Sequence, residues 1–389
     1  MRVAGRTLIA ILAGLIVATG VTAVPYVRTA AFLLDLAGVD GGVRRWIPIA
    51  PVPVDQRDVD VPTRDGAVPV RIYEPQTDPV PTVVVFPGVH GGGVDAPRLV
   101  RLCGRLASSG LRVACAPLPD LRQFVITARS TDMIEDITGW VSRQPDLAPS
   151  SRVTLVGVSF AGGLAVVAAG RDTLQDRLAA VVAIGGQHDL HETLRFLTTG
   201  VRSDGVQRTP HDYPLAIVAL TVAPRLVPAD QLADTEARIR AFLDASLDDG
   251  NGFAHGIPII ERLRAEVPSR PEPSRTLLRA IVDRDVVTTG RLVAPFIGTL
   301  ADDPGLSPSR SPLPTAPVFL LHGEDDTVIP STETPRLAAD FAARSPARVE
   351  ILLTPLLTHA HFVAQAPPAD IWALIRFWRD VRQAADTGR

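Results

Sequence analysis

The chain has 389 residues, 46% of them hydrophobic and 21% charged, which indicates a globular protein with ample core rather than a disordered one. Its formal net charge is −3 and no basic block is present, so the charge pattern speaks against a nucleic-acid partner. The two cysteines, Cys103 and Cys115, lack metal-ligand spacing, and we expect buried free thiols rather than the one disulfide that an oxidising compartment would permit.

The N-terminus carries an apolar segment. Arg2 and Arg6 precede residues 7–27, TLIAILAGLIVATGVTAVPYV, which contain no charge and are long enough to cross a bilayer as a helix. Arginines on the short side predict an N-terminus inside the cytoplasm and the body of the protein outside it. Two interpretations stay open: a retained single-pass anchor in the cell membrane, which the length favours, or a signal peptide cut after a residue such as Ala23, which would give a secreted or periplasmic protein.

The next segments lead into a sheet. Residues 28–58 are first amphipathic and then rich in Pro and Gly, so we expect a juxtamembrane helix and a linker. Alternation around Asp65-Gly66 predicts a β-hairpin over 59–75, and the run TVVVFPG at 82–88 is typical of a buried strand. Short apolar strands then alternate with helical patterns, which predicts a parallel, doubly wound sheet of the α/β class. The predicted helices are 95–109, 128–143 and 160–170, and the predicted strands are 111–119, 152–158 and 178–186.

The alternation of strands and helices stops at about residue 187. Residues 188–310 show no convincing strand pair but hold helical patterns, which predicts a helical cap inserted between two parts of one core, 59–187 and 311–389. The helical patterns of the cap are 229–246, 257–267 and 274–300. The second part of the core is predicted to contain strands at 316–323 and 347–355 and helices at 331–344 and 369–384.

Ser159 stands where a predicted strand meets a predicted helix. A serine raised on such a corner needs very small neighbours two positions before and after it, and here these are Gly157 and Ala161. The helix that follows directs backbone N–H groups at the corner, where they would stabilise negative charge. A serine needed only as a small turn residue would also fit this motif, but the strand-to-helix context favours a nucleophile.

A serine nucleophile requires a base and a carboxylate that orients the base. In a parallel sheet, such partners belong on loops at the carboxyl ends of later strands. Two loops qualify, because Asp325 and Asp326 follow one late strand while His359 and His361 follow the next.

These motifs together resemble the α/β-hydrolase family over roughly residues 59–187 and 311–384. The resemblance is carried by the elbow GVSFAG, the segment HGEDDTVIP and a late histidine, in the order Ser, Asp, His. It implies that Ser159 is the nucleophile, Asp326 the acid and His359 the base, with Asp325 and His361 as alternates.

The segment VVVFPGVHGGG resembles the oxyanion loop of the same family. The resemblance implies backbone donors at Phe160, directly after the serine, and at Val89 on this loop. Pro87-Gly88 stands where the family usually has His-Gly, so His90 is the alternative to Val89.

The expected activity is therefore that of a serine hydrolase, esterase-like or lipase-like, cleaving small-molecule or lipid-like carboxylic esters without a metal or organic cofactor. A peptidase or an acyltransferase on the same fold stays open, as does a catalytically inactive binding protein. The His-x-x-His pattern of His188 and His191 lacks a third ligand at a fixed spacing, so we expect no metal there. We expect His322 to end a strand and to hold the acid loop by hydrogen bonding.

Overall fold

The computed structural model describes residues 23–38, 47, 49–77, 80–247, 254–359 and 367–387. The apolar segment predicted to anchor the chain lies outside these residues except for 23–27. Within the described ranges, no helix is both long enough and apolar enough to span a bilayer. The anchor and the alternative of a cleaved signal peptide both stay predictions.

Eight strands form one sheet in the order β1-β2-β4-β3-β5-β6-β7-β8. β1 pairs antiparallel with β2, and β2 pairs antiparallel with β4, whereas the other pairings are parallel. This mostly parallel sheet with helices on both faces confirms the predicted α/β-hydrolase fold. The strands are β1 Val54–Thr63, β2 Gly66–Pro75, β3 Thr82–Phe86, β4 Arg112–Cys115, β5 Val153–Val158, β6 Leu178–Ile184, β7 Val318–Gly323 and β8 Val349–Thr354.

Helices cover both faces of the sheet. All five residues of β3 are buried, because alternate side chains enter hydrophobic clusters on opposite faces. One cluster contains side chains of α4, α5, α13 and the helices between β6 and β7, and the other contains those of α1, α2 and α14. The helices of the core are α1 (residues 23–36), α2 Pro97–Ser108, α3 Pro119–Arg122, α4 Arg129–Ser142, α5 Phe160–Ala169, α13 Glu333–Arg344 and α14 Pro368–Thr387.

Between β6 and β7 the described residues form helices and a single isolated bridge, from Val201 to Gln207, but no longer strand. Two of these helices, α8 and α9, correspond to helical patterns in the sequence, whereas α6 and α7 were not predicted. The pattern at 274–300 is divided into three helices rather than one. The helices are α6 Leu190–Thr199, α7 Asp212–Leu226, α8 Ala229–Ala245, α9 Ile257–Glu266, α10 Ser274–Val282, α11 Val286–Val293 and α12 Ile297–Leu300.

Two features of the described N-terminal region differ from the expected division at residues 27 and 28 and the expected linker up to 58. Helix α1 continues through that division, because Phe32 and Leu36 are buried against the body of the protein. The ring of Phe32 lies edge-on to Trp378 of α14, with centroids 5.5 Å apart. Strand β1 begins at Val54, inside the expected linker, because its whole length pairs with β2.

Cys103 and Cys115 lie in α2 and β4, and both are free and fully buried. This agrees with the expectation of buried thiols.

Candidate active site

Ser159 lies at the corner between β5 and α5. Its φ of 56° and ψ of −133° belong to a region that non-glycine residues rarely adopt, which indicates local strain. The corner is held because the Ser159 N–H donates to the Ile184 carbonyl and the Ser159 carbonyl accepts from the Gly162 N–H, both at 2.7 Å. A Cβ on Gly157 would lie 2.1 Å from the carbonyl oxygen of Ala161, so the chain can make this corner only with glycine at that position.

A line of hydrogen bonds runs from Ser159 into the protein interior. Ser159 Oγ lies 2.7 Å from His359 Nε2, and His359 Nδ1 lies 2.7 Å from Asp326 Oδ2. An imidazole that carries its proton on Nδ1 satisfies both contacts, since it donates to the carboxylate and accepts from the serine hydroxyl. Ser159 is half-buried, the His359 side chain is 18% exposed and the Asp326 side chain 1% exposed, so the line is accessible to solvent at Ser159 and His359 and closed at Asp326.

Backbone and imidazole donors surround the Asp326 carboxylate. Its Oδ1 accepts from the N–H groups of Val328, at 2.8 Å, and Ile329, at 3.0 Å. Burial by itself would raise the pKa of Asp326, but interactions with the imidazole rings of His359 and His322 outweigh it and hold that pKa well below its usual range. The carboxylate is therefore ionised at neutral pH, as an orienting group for an imidazolium must be.

His322 supports the loop that carries Asp326. Its fully buried ring contacts Thr334 Oγ1 through Nδ1 at 2.8 Å and the Ile329 carbonyl through Nε2 at 2.9 Å. The carbonyl only accepts, so Nε2 carries the proton and Nδ1 accepts from the Thr334 hydroxyl. This is the supporting hydrogen bond expected from the sequence.

The structure treats the two alternates, Asp325 for the acid and His361 for the base, differently. The Asp325 side chain is 78% exposed and lies 3.6 Å from Arg208, away from the hydrogen-bonded line. Asp326, rather than Asp325, thus belongs to the hydrogen-bonded line. His361 lies outside the described residues.

The loop after β3 lies directly against the serine. A Cβ on Gly88 would be 2.7 Å from Ser159 Cβ and 3.0 Å from Ser159 Oγ, so glycine is required for this close approach. The N–H groups of Val89 and Phe160 make no hydrogen bond within the described part of the chain. Phe160 begins α5, where an N–H has no intrahelical acceptor. Neither N–H is thus taken up by a hydrogen bond of the described chain, as a donor to an oxyanion requires, and the choice between Val89 and His90 stays a prediction.

A series of contacts links the loop that carries Asp326 to the loop after β3, through cap residues and one core loop. At one end, the His211 N–H donates to the Thr327 carbonyl at 2.9 Å, next to Asp326. Beside it, the ring of Tyr213 meets Phe124 edge-on at 6.2 Å. At the other end, a Cβ on Gly91 would lie 3.3 Å from Phe124 Cζ. No pattern in the sequence predicts this pair of rings, because it depends on how the cap packs.

His188, at the start of the cap, contacts a residue of the core, whereas His191 is exposed. His188 Nε2 lies 2.8 Å from Asp340 Oδ2, and Asp189 caps α6 by accepting from the Glu192 N–H. Among the residues that the structure describes, no group of three or more His, Cys, Asp or Glu side chains is arranged to hold a metal ion.

No protein-family model matches the chain, and no curated protein sequence matches it. Solved structures do resemble it. An esterase of Pyrobaculum calidifontis is 17% identical, with 93% of this chain and 90% of that one covered and a TM-score of 0.46. An esterase of Pyrococcus furiosus is 11% identical over 88% and 99% of the two chains, with a TM-score of 0.45. An acylaminoacyl peptidase of Pyrococcus horikoshii is 12% identical over 88% and 43%, with a TM-score of 0.46.

Identities this low do not transfer an activity. The fold is fixed instead by the strand order, the corner at Ser159 and the helices on both faces. The chain has the α/β-hydrolase fold.

Proposed function

We propose that the protein is a serine hydrolase that cleaves carboxylic esters through an acyl-enzyme intermediate. The observation that supports this most is the continuous hydrogen-bonded line from Ser159 through His359 to Asp326, which begins at a strained, solvent-accessible corner. An unassisted serine hydroxyl is a poor nucleophile, and this geometry supplies the base and the orienting carboxylate that it needs.

In the proposed mechanism, Ser159 Oγ attacks the ester carbonyl while His359 Nε2 takes the hydroxyl proton. Asp326 stabilises the imidazolium that forms, and His359 then gives the proton to the leaving alcohol. The N–H groups of Phe160 and Val89 stabilise the negative charge on the carbonyl oxygen. Water attacks the acyl-enzyme with His359 again as the base, which frees the acid and restores Ser159. No step calls for a metal or an organic cofactor.

A fluorophosphonate probe tests the nucleophile on the full chain. Wild type should be labelled stoichiometrically, and Ser159→Ala should not be labelled at all. Ser151→Ala is the matched control, because Ser151 also has a positive φ, 56°, but is exposed, two residues before β5 begins. An unlabelled wild type, or equal labelling of the Ser159→Ala variant, contradicts the proposal.

The substrate class is tested separately. We propose esters with apolar, lipid-like acyl chains, because cap residues contact both loops beside the site, at Thr327 and at Gly91, and an apolar segment precedes the body of the protein. A series of p-nitrophenyl esters of increasing acyl length, measured beside the matching p-nitroanilides and with an added alcohol as acyl acceptor, separates esterase from peptidase and acyltransferase. Faster release from the anilides would favour the peptidase, and transfer to the alcohol in preference to water would favour the acyltransferase.

A further inference from the structure

Exposed apolar side chains gather where the first turns of α1 and α14 meet. Val24, Ile371 and Trp372 are 44%, 45% and 48% exposed, which is high for residues of this size. The ring of Tyr26 is stacked on that of Trp372, with centroids 5.2 Å apart and planes 11° from parallel. We call these four residues the aromatic patch.

The aromatic patch is held rigidly on the body of the protein. The Arg379 guanidinium lies 4.7 Å from the centre of the Tyr26 ring and also donates to the Tyr26 hydroxyl. Further along α1, the buried Phe32 packs on Trp378. Both helices are therefore fixed to each other, and the exposure of the patch is not that of a loose chain end.

The sequence beside the patch indicates what covers it. Val24 and Tyr26 belong to the uncharged run of residues 7–27, and Arg28 is the first charge after it. Tyrosine, tryptophan and arginine beside an apolar run are typical of the membrane–water interface. There the aromatic rings lie at the level of the lipid headgroups. We propose that the aromatic patch lies on the surface of a lipid bilayer.

The charges around the patch fit an anionic lipid surface. Arg28 and Arg376 are exposed, and Arg376 lies one turn from Trp372 on the same side of α14. Asp370, in the first turn of α14, is the acidic neighbour of the patch on that helix. Arg28 and Arg376 together carry two positive charges against the one negative charge of Asp370, and both can contact lipid phosphates.

The direction of α14 places the patch at a particular edge of the sheet. Near the end of this helix, Arg382 donates to the Ser109 carbonyl at 2.7 Å, and Ser109 lies three residues before β4 begins. The helix thus runs from the carboxyl edge of the parallel strands to their amino edge, and Trp372 in its first turns lies at the carboxyl edge. Ser159 and Asp326 also follow the carboxyl ends of strands, so the bilayer would face the edge that carries the candidate site. The inference does not depend on the proposed hydrolase activity.

The test uses the full chain reconstituted in vesicles of phosphatidylcholine and phosphatidylglycerol, with and without bromine on the acyl chains. Brominated lipid quenches the fluorescence of tryptophan that reaches the bilayer. We expect quenching in wild type and at least a twofold smaller quenched signal in Trp372→Phe. Trp140→Phe is the control, because Trp140 packs in the cluster on the opposite face of the sheet.

Equal quenching in wild type and Trp372→Phe, or none in wild type, overturns the proposal. The patch would instead contact a second copy of the chain if Trp372→Phe changed the oligomeric state in detergent but left the quenching unchanged. That result would also overturn the proposal. Near-UV circular dichroism and the unfolding temperature show that the variants are folded, so that a lost signal is assigned to the patch.

Discussion

The adjacent residues Asp325 and Asp326 provide the sharpest test of the proposed mechanism, since one chemical change can be made at either position. Asp326→Asn keeps an oxygen that accepts from the Val328 and Ile329 N–H groups, as Oδ1 does now. Its amide NH₂ then faces His359 Nδ1, which in wild type donates to a carboxylate oxygen at 2.7 Å. Two donors cannot share that contact, so the imidazole must move its proton to Nε2.

An imidazole protonated at Nε2 cannot accept the proton of Ser159, which lies 2.7 Å away. Loss of the correct tautomer lowers kcat by about 10⁴-fold in triads of this kind, or roughly 5 kcal/mol of transition-state stabilisation. Asp325→Asn removes only an exposed carboxylate 3.6 Å from Arg208, and such contacts contribute about 0–1 kcal/mol. We therefore expect Asp325→Asn to keep kcat within about twofold of wild type.

The assay is steady-state hydrolysis of a short p-nitrophenyl ester, beside active-site titration with the fluorophosphonate probe. Asp326→Asn should lower kcat with little change in KM, since the carboxylate orients a base and does not touch the substrate. A large loss in Asp325→Asn with Asp326→Asn near wild type would refute the assignment of the acid. Comparable losses in both would refute the argument from burial.

Wild type and Asp326→Asn should also differ from each other in how their stability depends on pH. The pKa of Asp326 in the folded protein is held well below its usual range, while in the unfolded chain it is about 3.9. The ionised carboxylate therefore stabilises the folded state above about pH 4, and this contribution is lost as the pH falls toward the folded pKa. Between pH 7 and pH 3, chemical unfolding should show wild type losing more free energy of unfolding than Asp326→Asn loses. If the two proteins differed in stability by the same amount at both pH values, the prediction would be contradicted.

Three further predictions follow from the elbow, the base and the N-terminus. Gly157→Ala should destabilise the protein by about 1–3 kcal/mol or more and abolish labelling, because its Cβ would lie 2.1 Å from the Ala161 carbonyl oxygen. Gly104→Ala, in mid-α2 with no atom within 4 Å of the new Cβ, should instead be neutral or stabilising by about 0.5–1 kcal/mol in thermal unfolding. His359→Ala should lower kcat by at least about 10³-fold whereas His361→Ala should not, and the opposite result would reassign the base. A reporter enzyme active only outside the cytoplasm, fused after residue 387, should be active if the body of the protein is exported as proposed.

The core of the fold could be predicted because its elements have strong local patterns. β3 is a β-branched run buried on both faces, and β1 and β2 alternate around Asp65-Gly66, so both features are visible in a short window. Helix α7 could not be recognised in this way. It is buried on nearly all sides, so apolar residues surround it and no polar stripe marks its period.

The break in the pattern at 274–300 has a local cause that the sequence does contain. Arg284 has a positive φ of 55°, which ends α10, and the Asp285 side chain then accepts from the Thr288 N–H to begin α11. Apolar residues continue through this break because both helices pack in the cap. Hydrophobic periodicity alone therefore predicts one continuous helix, whereas the capping residue Asp285 separates α10 from α11.

The candidate site shows a similar division between local and long-range information. The order Ser159, Asp326, His359 could be predicted from loops that follow strands, but the preference for Asp326 over Asp325 had to rest on a family resemblance. Spacing does not distinguish two adjacent carboxylates, whereas burial and hydrogen bonds from Val328 and Ile329 do.

Gly88 is required for a reason that its local sequence does not show. In the sequence it is part of an ordinary Pro-Gly turn after a strand, and nothing nearby requires glycine. The requirement comes from across the sheet, because β3 pairs with β5 and brings Gly88 within van der Waals distance of Ser159. Ser159 and the loop expected to stabilise an oxyanion beside it are thus positioned by one parallel strand pairing. A change in that pairing would separate them even if every residue of both motifs were kept.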